Sequence, residues 1–257
     1  MQEVSGTYTG GPITAFPLIN AVLDRVQQGR VFRDTDAGAW YILHKAGFSL
    51  LTEPVDPGGV LDFFLQSEAI PGYFHVYNAP GGLIRVCSER SDDVNIRIRK
   101  RIQLRPGPDR PLKQMDAAEG FRVRPVDAGD LEKLSVFRLS LEHRFWSSAS
   151  DFLEKGLGYC VWNEAGMPVS LCYAACVARE TAEIDVATLP DFQRKGLARL
   201  AVGAFVQACT DRGITANWDC FEENAGSLRT AESLGFRQTT SYNFLSIFNK
   251  RKNHEKA

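Results

Sequence analysis

The stretch from Ala182 to Ala198 constrains the chain more than any other. It opens as a strand, with Ile184 and Val186 on one face and Glu183 and Asp185 on the other. Pro190 and Asp191 stop that strand. A helix is predicted to start near Gly196, because Leu197, Leu200, Ala201, Ala204, Phe205 and Ala208 recur along one helical face. Arg212 and Gly213 close it with a basic last turn and a terminal glycine. The segment Gln193 to Ala198 therefore lies at a strand-to-helix junction, where several backbone N–H groups have no intrahelical acceptor. Those donors and the positive end of the helix dipole attract an anion. Gly196 leaves the backbone open to close approach, Ala198 keeps the next turn small, and Arg194 and Lys195 add positive charge.

Gln193-x-x-Gly196-x-Ala198 after such a strand resembles the acyl-CoA pyrophosphate loop of the GNAT N-acetyltransferase superfamily. Asn224 to Ser227, followed by Ala231 to Phe236 with its Leu-Gly-Phe exit, resembles the next helix of that family. The resemblance covers residues 120–250. More loosely, the whole chain is similar to a bacterial GNAT subfamily that includes zwittermicin-resistance-like proteins, through Asn217 to Cys220 and the N-terminal half. The resemblance implies an α/β (α+β) fold: a mixed, mostly antiparallel sheet with helices on both faces, preceded by a smaller α/β domain.

Composition is that of a globular protein: 44% hydrophobic and 24% charged over 257 residues. A formal charge of −1 provides no global field for nucleic acid or anionic membrane, so neither partner is expected. No apolar run reaches 18 residues, and the N-terminus lacks a basic start followed by an apolar core. The expectation is a cytoplasmic protein. Its six cysteines form no Cys-x-x-Cys pair and read as reduced, buried small hydrophobes, with Cys172 and Cys176 sharing strand parity. The four histidines lack metal-ligand spacing, so no metal is expected.

The N-terminal half, residues 1–105, begins with a Gly/Thr-rich stretch through residue 12 and a helix from Phe16 that Gly29 ends. A hairpin about Lys45 to Gly47 and alternating helix and strand signals follow. Between Asn95 and Arg105, Ile96, Ile98, Ile102 and Leu104 alternate with Arg97, Arg99, Arg101 and Arg105. That arginine row is either a solvated strand face or a surface for an acidic partner or cofactor phosphate. Residues 106–119 read as a stiff Pro-rich linker and the domain boundary, residues 120–250 as the catalytic domain, and 251–257 as a charged tail. The N-terminal half has no loop of the Gly196 type; it reads as a degenerate GNAT-like half or as an accessory substrate domain.

Acyl transfer to an amine requires alignment of two substrates, removal of an ammonium proton, and stabilisation of the developing charges. The resemblance implies acetyl-CoA as donor, with the backbone of Val186, Ala187 and Thr188 pairing with pantetheine in a slot opened by splaying parallel strands. It implies that Gln193, Arg194, Lys195, Gly196, Leu197, Ala198 and Arg199 hold the pyrophosphate, with Asn224 and Ser227 beside the pantetheine arm. Glu183 is the first candidate for general base, Asp185 shares its face, and His143 is an alternative. The tyrosine that commonly protonates the leaving thiolate in the family falls at Ala231, which has no proton to give. Trp218 and Cys220 read as packing residues. The leading function is direct acetyl transfer, in a ternary complex, to a primary amine of a small molecule. The alternatives are a non-catalytic acyl-CoA-binding module and a tandem peptide or aminoacyl transferase. The acceptor and the oligomeric state, monomer or homodimer, stay open.

Overall fold

The computed structural model describes residues 1–4, 8–10, 13, 15–34, 38–107, 119–138 and 144–253. The greater part of the predicted linker, the last residues of the charged tail, part of the Gly/Thr-rich start and His143 lie outside the described residues. Contacts divide the chain into two units, residues 1–101 with 242–257, and residues 102–241.

In the first unit, β1 (Gln2–Glu3) precedes the helix Pro17–Leu23, and an antiparallel run follows through β2 (Gly29–Arg33), β3 (Trp40–His44) and β4 (Phe48–Leu51). The helix Pro57–Gln66 then crosses over to β5 (Tyr73–Tyr77), which lies parallel to β4. The helix Gly81–Glu89 leads to β6 (Val94–Pro106). Gly29 does not end the first helix. That helix stops at Leu23, Arg25 turns the chain with φ of 57°, and Gly29 opens β2. The core of this unit sits between the sheet and the helices Pro57–Gln66 and Gly81–Glu89, with Phe64, Phe74, Leu83 and Leu245 at its centre.

A buried histidine makes this unit sensitive to acid. His44 is fully enclosed; its Nδ1 accepts from the Ala46 N–H at 3.0 Å, so the ring proton sits on Nε2 and faces Gln27 Oε1 at 3.0 Å. Burial first, and the Lys45 charge second, push its pKa down from 6.5 to about 3. Between those values the unfolded chain holds a proton that the native state refuses, so stability is full above pH 6.5 and falls as the pH drops. At pH 5 the loss attributable to His44 is about 2 kcal/mol. Urea titrations at pH 7.5 and pH 5 should show that difference in the native chain and not in His44→Asn; equal losses in both would remove His44 as the cause.

The second unit repeats the order of the first. After β7 (Phe121–Pro125) come a short helical segment (Leu131–Leu134) and the helix Ala149–Lys155, then the antiparallel run β8 (Gly158–Asn163), β9 (Pro168–Ala178) and β10 (Thr181–Thr188). The helix Leu197–Asp211 crosses over to β11 (Thr215–Phe221), parallel to β10, and the helix Ala225–Ser233 leads to β12 (Phe236–Asn249). Asp127 caps the turn Ala128–Asp130 that leads into the Leu131–Leu134 segment, accepting from the Gly129 N–H at 2.8 Å. Asp130 accepts from the Asp127 N–H at 3.1 Å to complete a capping box, and its buried carboxylate pairs with the half-exposed Arg124 at 2.5 Å. The expected domain limits at 105 and 250 differ from the contact division. Residues Phe244 to Phe248 pair with β5 and so belong with the first unit, a partnership remote in sequence.

Both faces of the second sheet are covered. Of the predicted stripe, Leu197, Leu200, Ala201, Phe205 and Ala208 are buried against it while Ala204 is half-buried, and Val202, Val206 and Cys209 join them. Burying a side chain the size of Phe205 contributes about 1.5–3 kcal/mol. On the opposite face Trp146, Phe152 and Tyr173 are enclosed, and the Trp146 indole donates to the Ala174 carbonyl at 3.0 Å. One reading of parity is corrected here. The register of β9 against β10 slips between Glu183 and Ile184, which face Cys176 and Ala174, so Ala175 is an extra, bulged residue. Cys172 therefore joins the core beneath the long helix, whereas Cys176 lies beside Glu183.

Candidate functional site

β10 and β11 pair at only three positions: Thr181 with Thr215, Ala182 with Ala216, and Glu183 with Asn217. Beyond the last pair β10 runs on to Thr188 and β11 to Phe221 without pairing. The splay leaves the β11 side of residues 184–188 without a strand partner, while their other side stays bonded to β9 through Thr188 opposite Ser170.

The slot opens into a cavity of about 600 Å³. Val186, Thr188 and Trp218 form its inner wall, and Gln193, Arg194, Gly196, Leu197, Ala198 and Arg199 line its floor. Asn224, Gly226, Ser227, Arg229, Thr230 and Ser233 close it from the helix Ala225–Ser233. Of the residues expected at a cofactor, Ala187 and Lys195 are not in this wall. The Ala187 carbonyl accepts from the Ser170 hydroxyl at 3.3 Å, and the Lys195 ammonium lies over the Phe192 ring at 5.0 Å. Sequence reading missed Phe192, Arg229, Thr230 and Ser233. It also undervalued Trp218, which is packed edge-on against Phe236 and yet faces the cavity.

The junction loop has the backbone its sequence suggested. Arg194 and Gly196 both adopt positive φ, 60° and 79°, and a Cβ on Gly196 would meet open space. Glycine is needed there for its conformation, not for want of room. The first bond of the helix runs from the Leu200 N–H to the Gly196 carbonyl at 3.1 Å. Among the described residues, the N–H groups of Leu197, Ala198 and Arg199 find no backbone acceptor, and they end at the cavity floor. Arg199 Nε is itself buried without a hydrogen-bond partner in the same wall. A buried guanidinium nitrogen left unpaired is costly unless an acceptor arrives. Donor-rich backbone and an unsatisfied cation together suit a bound anion.

Across the slot, the Asn224 side chain accepts from the Ser227 N–H at 3.1 Å and caps its helix, which leaves its amide NH₂ available. The Ser227 hydroxyl accepts from the Trp218 indole at 2.9 Å. Ala231 is fully enclosed in the core.

The carboxylates stand on the sheet face away from the long helix. Glu183 is buried, 7% exposed, and accepts from the Asn217 amide at 2.8 Å. Asp185 is more open, with 28% of its side chain exposed; it accepts from the Tyr173 hydroxyl at 2.7 Å and meets Arg144 at 3.4 Å. Each carboxylate thus has a donor of its own. Burial, then the Asp185 charge, push the Tyr173 hydroxyl far above its usual range, so it stays protonated and donating. Burial and then the Glu183 charge likewise keep Cys176 a thiol. Nearby, Gln103 donates to Asp219 at 3.1 Å and Arg105 to Asn217 at 3.4 Å. Neither Glu183 nor Asp185 is in the cavity wall, and His143 lies outside the described residues. Tyr173, Arg144 and Asn217 were not anticipated, because their roles depend on strand pairings that sequence order does not display.

A family model described as GNAT acetyltransferase matches residues 97–245. The uncharacterized N-acetyltransferase YdfB of Bacillus subtilis (strain 168) is 29% identical over 130 residues, 51% of this chain and 49% of that protein. The chain thus spans about half the length of the curated relative it matches. A GCN5-related N-acetyltransferase-like protein from Streptococcus suis 89/1591 superposes with a TM-score of 0.66 at 21% identity, covering 86% of this chain and 89% of that one. A tandem GNAT protein from the clavulanic acid biosynthesis pathway superposes with a TM-score of 0.55 at 11% identity, covering 85% and 81%. At such identities the structures share the fold, and that sharing extends well into the N-terminal unit.

Proposed function

The chain belongs to the GNAT acetyltransferase family, and from that premise we propose that it moves an acetyl group from acetyl-CoA to a primary amine of a small molecule, both substrates being bound at once. The observation that carries this reading is the slot: two parallel strands part after Glu183 and Asn217, and the opening leads to unpaired donors at a helix start. Bound there, the CoA thioester supplies the acyl group. The backbone of Val186 to Thr188 holds the pantetheine arm, helped by the free amide of Asn224 and by Ser227. The N–H groups of Leu197, Ala198 and Arg199 and the Arg199 guanidinium hold pyrophosphate, while Gln193, Arg194, Lys195 and Gly196 shape and charge the turn.

Glu183 takes the proton from the incoming ammonium, directly or through water, and Asp185 favours a cationic acceptor on the same face. His143 is the competing base. Ala231, enclosed in the core, supplies no proton to the leaving sulfur. In the N-terminal unit β4 stays paired with β5 as far as Leu50 and Tyr77, and the Asp56 carboxylate caps the crossover helix by accepting from the Gly59 N–H at 3.1 Å. A carboxylate in that position repels phosphate, so this unit has kept the topology and lost the cofactor. Within the family, the stretch Asn217 to Cys220 suggests the zwittermicin-resistance-like branch, and a cytoplasmic setting with a small-molecule partner suits the reading.

Ala231 favours a second reading, a protein that binds acyl-CoA without turnover. Thiol release from acetyl-CoA, followed across a panel of primary amines, separates the two. Amine-dependent release is expected with at least one amine; saturable acetyl-CoA binding with release by none would favour the sensor.

A further inference from the structure

We propose that Asn217 is a positioning residue for acyl transfer: held by Arg105, it fixes the Glu183 carboxylate at the point where β10 and β11 part. The inference rests on the reading of Glu183 as the base. Its grounds are geometric. Glu183 and Asn217 are the last paired residues before the splay, and as direct partners on parallel strands their side chains share one face. Asn217 is fully buried, so both ends of its amide need partners. Arg105 can only donate, and it reaches Asn217 Oδ1 at 3.4 Å; that fixes the amide orientation and turns the NH₂ group towards Glu183 Oε2 at 2.8 Å. The backbone ladder between the strands ends at this pair, so a side-chain bond is what holds the carboxylate at the apex of the slot.

Among the described residues, charged and titratable groups near Glu183 come from several elements, and Tyr173 and Arg144 reach the same face through Asp185. Cys176 faces it from β9, Asp185 follows on β10, Asp219 lies two residues beyond Asn217 on β11, and Arg105 stands behind Asn217 on β6. Arg144 is engaged by Asp185, and Arg105 acts on Glu183 through the Asn217 amide. A donor to the ionised carboxylate favours the base form, and its loss disfavours it.

The test compares Asn217→Ala, Asn217→Asp and Glu183→Gln, alone and with Asn217→Ala combined with Glu183→Gln, using acetyl-CoA and an amine that supports thiol release. Asn217→Ala should lower kcat about tenfold and leave the amine KM and CoA affinity within about twofold. The acidic limb of its kcat/KM profile should move up by about one pH unit, since Glu183 loses a donor to its charged form. Asn217→Asp keeps the acceptor for Arg105 and places a second negative charge beside Glu183, so its limb should move further in the same direction. In the Glu183→Gln background, Asn217→Ala should cost nothing more. An unmoved limb in both Asn217 variants, or an equal loss in both backgrounds, would make Asn217 a strand bridge only and overturn the proposal while leaving Glu183 as base. Wild-type turnover in Glu183→Gln would overturn the base assignment and this inference together.

Discussion

Glu183→Gln should lower turnover about 10²–10⁴-fold while leaving CoA affinity unchanged. The substitution preserves shape and can still take a hydrogen bond from Asn217, which donates to the native carboxylate at 2.8 Å. What it removes is the ability to accept a proton. The acidic limb of the rate profile should vanish with it, because that limb reports ionisation of Glu183. Asp185 is the weaker candidate on geometry, since the Tyr173 hydroxyl and Arg144 already occupy it. His143→Ala is the control. If Glu183→Gln turned over normally and His143→Ala were inactive, the histidine would be the base. If neither changed the rate, the site would act by positioning an amine that arrives neutral.

What could be read from the sequence was what local periodicity encodes. Strict alternation from Glu183 to Val186 and the helical stripe from Leu197 to Ala208 placed the strand, the turn and the helix where the structure has them. The hairpin about Lys45 to Gly47 followed from turn chemistry, and Gly47 does adopt positive φ. What escaped was non-local. The bulge at Ala175 leaves no mark in composition, yet it reverses the side of the sheet on which Cys176 stands. The partnership of Asp185 with Tyr173 requires knowing that β9 and β10 are antiparallel in a particular register. The amide of Asn217 meets Glu183 only because residues far apart in sequence pair in parallel.

The N-terminal unit shows the same limit on a larger scale. Its order of three antiparallel strands, crossover helix, parallel strand, helix and strand is the order of the second unit, though no sequence repeat announces it. Topology survives there without the loop because burial of alternating apolar residues specifies the sheet, whereas the loop is specified only by a ligand.

The loop from Gln193 to Arg199 is where the proposed acetyl-CoA site meets phosphate, and calorimetric titration of CoA into the wild type and Gly196→Glu tests it most directly. Gly196 sits at φ of 79° with open space where a Cβ would go, so the variant should fold, with modest backbone strain of about 1–2 kcal/mol. Its carboxylate would extend into the cavity that Arg194, Arg199 and the helix N-terminus line, displacing one anion with another. CoA affinity should fall at least thirtyfold, about 2 kcal/mol or more. Gly196→Asn, which tolerates the same backbone without charge, should lose much less. A folded Gly196→Glu protein that binds CoA as tightly as the wild type would contradict the assignment of this loop as the phosphate seat, and with it the acetyl-CoA slot.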